Sequence, residues 1–186
     1  QRHNADDLLK DIYNEAVVSG LKSKTILDLD NTIYSIDQNF PNSNYGGCGI
    51  IAKLLYYALK KYFNYTPEIK LLIVGNSHHI PTTDEIENCP MLACNMDDPW
   101  EWRASHVVVM VNKRICMDSE GLHRINELAE DYRAYHISPV SIETLRRWVD
   151  TASSWNPTFN RRFIPNIAKF IDNLMNRIKR AQSAKK

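Results

Sequence analysis

The sequence predicts an α+β fold built on an antiparallel sheet of about four strands, and three patterns carry that expectation. Apolar residues recur at helical spacing from Ile51 through Leu54, Leu55, Ala58 and Leu59 to Tyr62. Ser105 to Val111 and Arg114 to Asp118 are two extended apolar runs joined by Asn112-Lys113, as in a hairpin. Finally, Ile164, Ile167, Ala168, Ile171, Leu174, Met175 and Ile178 keep a 3–4 repeat, which predicts an amphipathic helix reaching about Arg180.

The remaining elements follow in order. Leu8, Leu9, Ile12, Tyr13 and Ala16 predict a first amphipathic helix, stopped by Gly20. A second helix is expected between Lys24 and Phe40, and Pro41-Asn42-Ser43-Asn44 reads as a turn. The helix that opens at Cys48 ends near Tyr62 to Asn64, and Glu68 to Gly75 changes period to a buried strand. Asn76 to Arg103 carries no clear period and is expected to be a long excursion of the kind that often serves function. Ser119-Glu120-Gly121 ends the hairpin. A short helix near Ile125 to Glu130, a strand near Arg133 to Ile137, and a helix capped by Ser141 and running through Leu145 to Val149 complete the body. Thr151 to Asn160 reads as a linker, and Pro165 suits the first turn of the last helix.

The 186 residues, 44% hydrophobic and 24% charged, have the composition of a globular domain rather than a disordered chain. A body over 1–159 and a basic helix over 160–186, docked on it or extending from it, is the expected organisation. No apolar run is long enough to span a membrane. The first residues lack the apolar core of a signal peptide, while a chain that does not begin with Met leaves a removed leader open. Four cysteines are few for a disulfide scaffold of this length, so reduced thiols in a cytoplasm-like compartment are expected, with Cys89–Cys94 the pairing left open. The net charge of +1 hides an asymmetry: from Asn160 onward eight basic residues face one acid, Asp172, giving +7, against 15 basic and 21 acidic residues before it, or −6. That tail suits an acidic partner, whether nucleic acid, an anionic surface or the acidic body.

Chemistry concentrates at Gly46-Gly47-Cys48-Gly49. A cysteine at a helix N-terminus sits among unpaired N–H groups and the positive end of the helix dipole, which favours the nucleophilic thiolate. Gly46 and Gly47 allow a substrate carbonyl to approach the Cys48 N–H without side-chain interference. His106 opens the next strong strand and can take the thiol proton. Asp118, twelve residues on along the hairpin, can hold the imidazole tautomer. Asn44, Asn42 and Gln38 are candidates to complete an oxyanion hole, with no choice among them. Trp100 and Trp102 supply either a substrate wall or a cap on the core, and Ser105, beside His106, joins the substrate-side candidates. A rival zinc set of His78, His79, Cys89 and Cys94 has loose spacing, so no metal is expected. His123 has no evident partner.

These motifs, Gly-Gly-Cys-Gly-Ile-Ile-Ala, then Ser-His-Val-Val-Val-Met-Val and Met-Asp-Ser-Glu-Gly, resemble the papain-like cysteine peptidase superfamily. The nearest resemblance is to its small bacterial and phage branches, the C39-like peptidases and transglutaminase-like proteins. The resemblance covers roughly Asn42 to Gly121. It implies a Cys-bearing helix on an antiparallel sheet and acyl transfer on an amide of a protein or peptide, with Cys48 as nucleophile, His106 as base and Asp118 as orienter. No cofactor is implied, and the location would be cytoplasmic, in a host cell or virion if phage-encoded. Asn42 stands where the family's glutamine is expected. The reading from another class is a non-catalytic interaction or virion module of the same fold that binds through its basic helix.

Overall fold

The computed structural model describes residues 36–41, 43, 47–63, 65–75, 78–89, 102–150 and 161–183. Helix α1 spans Cys48–Phe63, β1 Ile69–Val74, α2 Thr83–Glu87, β2 Arg103–Met110, β3 Ile115–Asp118 and β4 Gly121–Arg124. Then come α3 (Ile125–Asp131), β5 (His136–Val140), α4 (Ile142–Val149), a 3₁₀ turn (Arg161–Phe163) and α5 (Ile164–Ser183). The chain is α+β. Among the described residues the strands form a single antiparallel sheet in the order β4-β3-β2-β1-β5. The helix expected near Ala5 to Val18 and the linker Thr151 to Asn160 lie outside the described residues, as does the second helix except for a helical turn at 36–39.

Among the described residues five strands replace the expected four or so, because the hairpin does not stop at Gly121. Asp118 pairs directly with Gly121, leaving Ser119-Glu120 as the two-residue turn. Gly121 has φ 111°, which a residue with a Cβ resists, and this lets the chain fold straight back into β4. The strand expected near Arg133 begins later, at His136. Arg133 instead closes α3 at φ 56°, with its N–H on the Glu130 carbonyl (2.9 Å) and the Ala134 N–H on Ala129 (2.8 Å). Those two bonds make a Schellman ending, formed here without the usual glycine. Pro139 lies inside β5, an edge strand, where a missing N–H can face away from the ladder. The excursion before β2 contains α2, started by a capping box in which Thr82 Oγ1 accepts from the Glu85 N–H at 3.2 Å.

Alternation along the strands gives the sheet two unlike faces. Ile69, Leu71, Ile73, Val107 and Val109 join Ile51, Leu55 and Leu59 of α1, Trp148 of α4 and Ile171 and Leu174 of α5 in one large cluster. On the opposite face Leu72, Val108, Met110 and Cys116 form a smaller one, covered by Ile125, Leu128 and Ala129 of α3. The basic last helix is docked: Ile167, Ile171, Leu174, Met175 and Ile178 are all buried in the larger cluster. At about 1.5–3 kcal/mol per buried aliphatic side chain, that stripe outweighs the electrostatic cost of crowding cations on the other side. Asp172 adds a polar tie, accepting from Lys61 Nζ at 2.9 Å and Tyr62 Oη at 2.8 Å. Among the described residues no helix is long and apolar enough to cross a membrane.

Two stability changes follow. Leu174→Ala is expected to cost about 2–5 kcal/mol in urea unfolding, whereas Arg177→Ala on the exposed side changes stability by less than about 0.5 kcal/mol. Arg133→Gly is expected to raise stability by about 0.5–1 kcal/mol, because glycine relieves the left-handed strain at the end of α3. An unchanged denaturation midpoint would contradict the strain account.

Candidate active site

Cys48 is the first residue of α1, and the Gly47 carbonyl accepts the first helical bond, from Ile51 N–H at 3.0 Å. The sequence puts it there because the glycines cannot sustain a helix while Ile50, Ile51 and Leu54 can. No acid occupies the first turn, so the dipole end is left to the thiol. The side chain is 4% exposed and belongs to the cluster on the α1 face.

His106 and Asp118 are brought together. His106 Nε2 lies 2.8 Å from Asp118 Oδ2, and both side chains are buried. The pairing follows from register. His106 lies opposite Leu72 and shares its side with Val108 and Met110, while Asp118 shares that side with Cys116. Both therefore project to the α3 face. Between Leu72 and Ile73 the β1–β2 register shifts, leaving Ser105 as the extra residue, and its Oγ donates to the Leu72 carbonyl at 3.2 Å. The His106 ring stacks on Tyr132, with centroids 4.5 Å apart and planes 7° from parallel. Its Nδ1 is buried and has no hydrogen-bond partner among the described residues. The Cys48 sulfur is thus not bonded to either ring nitrogen.

Two members of the cluster were not legible in the sequence. His123 Nε2 lies 2.9 Å from Asp118 Oδ1, the same oxygen that accepts from the Glu120 N–H at 2.8 Å. Strand β4 puts His123 there, and because β4 is unsuspected in the sequence, so is the contact. Tyr132 enters through the Schellman ending of α3. The signal available was the Asp118-Ser119-Glu120-Gly121 turn, which can return a strand as readily as end one.

Charge holds the cluster together. Burial alone would raise the Asp118 pKa, but the His123 charge and the hydrogen bonds from His106 and His123 overcome it and hold the carboxyl well below the usual carboxylate range. Burial likewise opposes the protonation of His123. The Asp118 charge and hydrogen bond, with Glu120 and Asp131 further off, outweigh it and raise the His123 pKa. With Asp118 ionised, it accepts from the His106 Nε2–H, so a neutral His106 ring carries its lone pair on Nδ1. Cys116, on the same face, has its pKa pushed well up by burial and by Asp118.

The other candidates scatter. Gln38 is exposed on the helical turn, Gly47 is buried beside Cys48, and Trp102 is half-buried against the α1-side cluster. Asn42, Asn44, Gly46 and Trp100 lie outside the described residues. No group of three or more potential metal ligands occurs among the described residues. Of the rival zinc set, His79 pairs with Glu85 at 2.8 Å and His78 packs edge-on against Tyr135, while Cys94 lies outside the described residues. No family model, curated protein or solved structure matches the chain.

The cluster predicts a pH-dependent stability. A raised His123 pKa stabilises fully below its ordinary value of 6.5, and this is lost as pH rises through the folded value. A lowered Asp118 pKa stabilises above its ordinary 3.8 and is lost as pH falls through the folded value. The contribution therefore peaks between those ordinary values. Asp118→Asn is expected to cost about 3–5 kcal/mol there and less near pH 9, read by urea unfolding. By NMR, the His123 ring should titrate above 6.5 and return towards it in the variant.

Proposed function

We propose that the chain is a cysteine-dependent amide hydrolase or acyltransferase acting on a protein or peptide, with Cys48 as nucleophile, His106 as base and Asp118 as orienter. One observation carries the reading. Asp118 takes up one nitrogen of a buried imidazole, while the other, Nδ1, has no hydrogen-bond partner among the described residues. An unsatisfied buried nitrogen costs about 1–3 kcal/mol, and a proton acceptor that must stay uncommitted until substrate arrives is a reason to carry that cost. The place of Cys48 at the α1 N-terminus adds a second support.

In this mechanism the Cys48 thiol gives its proton to His106 Nδ1, and the sulfur attacks the amide carbonyl. The Cys48 N–H faces the developing oxyanion. The amine leaves with the proton from His106, and the thioester passes to water or to a second amine, giving hydrolysis, deamidation or transamidation. For transfer to occur, the sulfur on the α1 side and the ring on the α3 side must meet at the end of β2 where Ser105 interrupts the register. A reducing, cytoplasm-like compartment suits a mechanism that needs a reduced thiol.

A second reading has its own support: Cys48 sits in the α1-side cluster while the His106 ring turns to the α3 face. His106, Asp118 and His123 then form a buried staple in a non-catalytic module that binds an acidic partner through α5. Iodoacetamide labelling mapped by mass spectrometry separates the two. Catalysis requires Cys48 to label at least about tenfold faster than Cys116, Cys89 or Cys94, and His106→Ala to slow it with the fold intact by circular dichroism. If Cys48 labels no faster than buried Cys116, the enzyme reading fails.

A further inference from the structure

We propose that the exposed side of α5 binds the phosphate backbone of a nucleic acid. The buried stripe of this helix fixes which residues turn outward. Arg162 on the preceding turn, then Asn166, Lys169, Asn173, Arg177 and Arg180, are all exposed and repeat at intervals of three, four or seven, so they share one side. Those six positions carry only amide and cationic side chains. A helix surface that is merely solvated usually alternates acids with bases to gain i,i+4 pairs. From Asn160 onward the one acid is Asp172, and it is turned to α1, where Lys61 and Tyr62 hold it. Within the helix itself, no acid stands in this row.

Three features favour nucleic acid over other polyanions. Arginine outnumbers lysine on this side, and its planar fork matches phosphate oxygens bidentately. The interleaved Asn166 and Asn173 can donate to phosphate oxygens and to base edges alike. Lys169 to Arg180 extends about 16 Å along the axis, and a duplex presents about one charge per 1.7 Å, so several phosphates face the row at once. A membrane surface is disfavoured because insertion needs apolar side chains beside the basic ones. The exposed large hydrophobics among the described residues, Tyr57 and Ile80, lie off this helix. The inference does not depend on Cys48 being a nucleophile.

The test is fluorescence anisotropy of the full chain with a labelled duplex of about 20 base pairs, titrated between about 50 and 200 mM NaCl. Binding is expected in the micromolar range at the lowest salt, with log K falling against log salt at a slope of about −3 to −4. Lys169→Gln/Arg177→Gln/Arg180→Gln together should weaken binding at least tenfold and flatten the slope by about 3, with the unfolding midpoint unchanged. Lys113→Gln/Arg114→Gln, exposed on the β2–β3 turn, should bind as the unaltered chain does. The proposal is overturned if the triple variant keeps its affinity and slope. It is equally overturned if polyglutamate binds more tightly than the duplex at equal salt, which would indicate an acidic protein, or if anionic phosphatidylglycerol vesicles do.

Discussion

A single buried carboxylate organises one whole face of this molecule. Asp118 ends β3, and its two oxygens are divided among His106, His123 and the Glu120 N–H. A charge taken so far out of water is tolerable only when its lone pairs are met and an opposite charge lies beside it. Those demands reach into three strands and a turn. β2 must deliver His106, β4 must return at once to deliver His123, and Gly121 must adopt the backbone that makes the return possible. Tyr132 then closes the ring against α3. The polar cluster thus specifies the β2–β3–β4 arrangement more tightly than the apolar contacts around it would.

The division of the sheet into two unlike faces explains how the candidate residues are distributed. The α1 face is thick and apolar, and it absorbs Cys48 together with α5. Among the described residues the α3 face is thin, covered by one short helix, and it holds every titratable group of the cluster. A chemistry joining sulfur and imidazole must work across the boundary between the two, at the end of β2. Ser105, the residue the ladder leaves over, marks that boundary. Register interruptions at such places commonly re-aim neighbouring side chains.

Much of this fold was legible because its main signals are periodic. The 3–4 repeats after Cys48 and after Ile164 gave α1 nearly to the residue and the start of α5, which runs three residues past the expected Arg180, and Ser141 gave the start of α4, where its side chain accepts from the Thr144 N–H. The pairing of His106 with Asp118 was readable as hairpin geometry across Asn112-Lys113. What escaped was set by short-range chemistry with little periodicity. Gly-Leu-His-Arg is too brief to alternate visibly, so β4 was missed, and His123 with it. Pro139 argues against a strand unless the strand is known to lie at an edge, and edges are a property of the assembled sheet. The facing of His106 was beyond reach for a similar reason. Which side of β2 meets α1 is decided by how the helices distribute over two apolar faces, and the Val-Val-Val run suits either side.

The place of Pro139 also bears on how the molecule behaves in company. An edge strand is a template on which a neighbour's backbone can add, and long open edges invite sheets to grow from one molecule into the next. With a proline near its end, β5 offers an interrupted row of donors, and at only five residues it offers little length to compensate. On that side the strand's own covalent chemistry limits how far a neighbour's backbone could pair, and α2 packs against β5 as well.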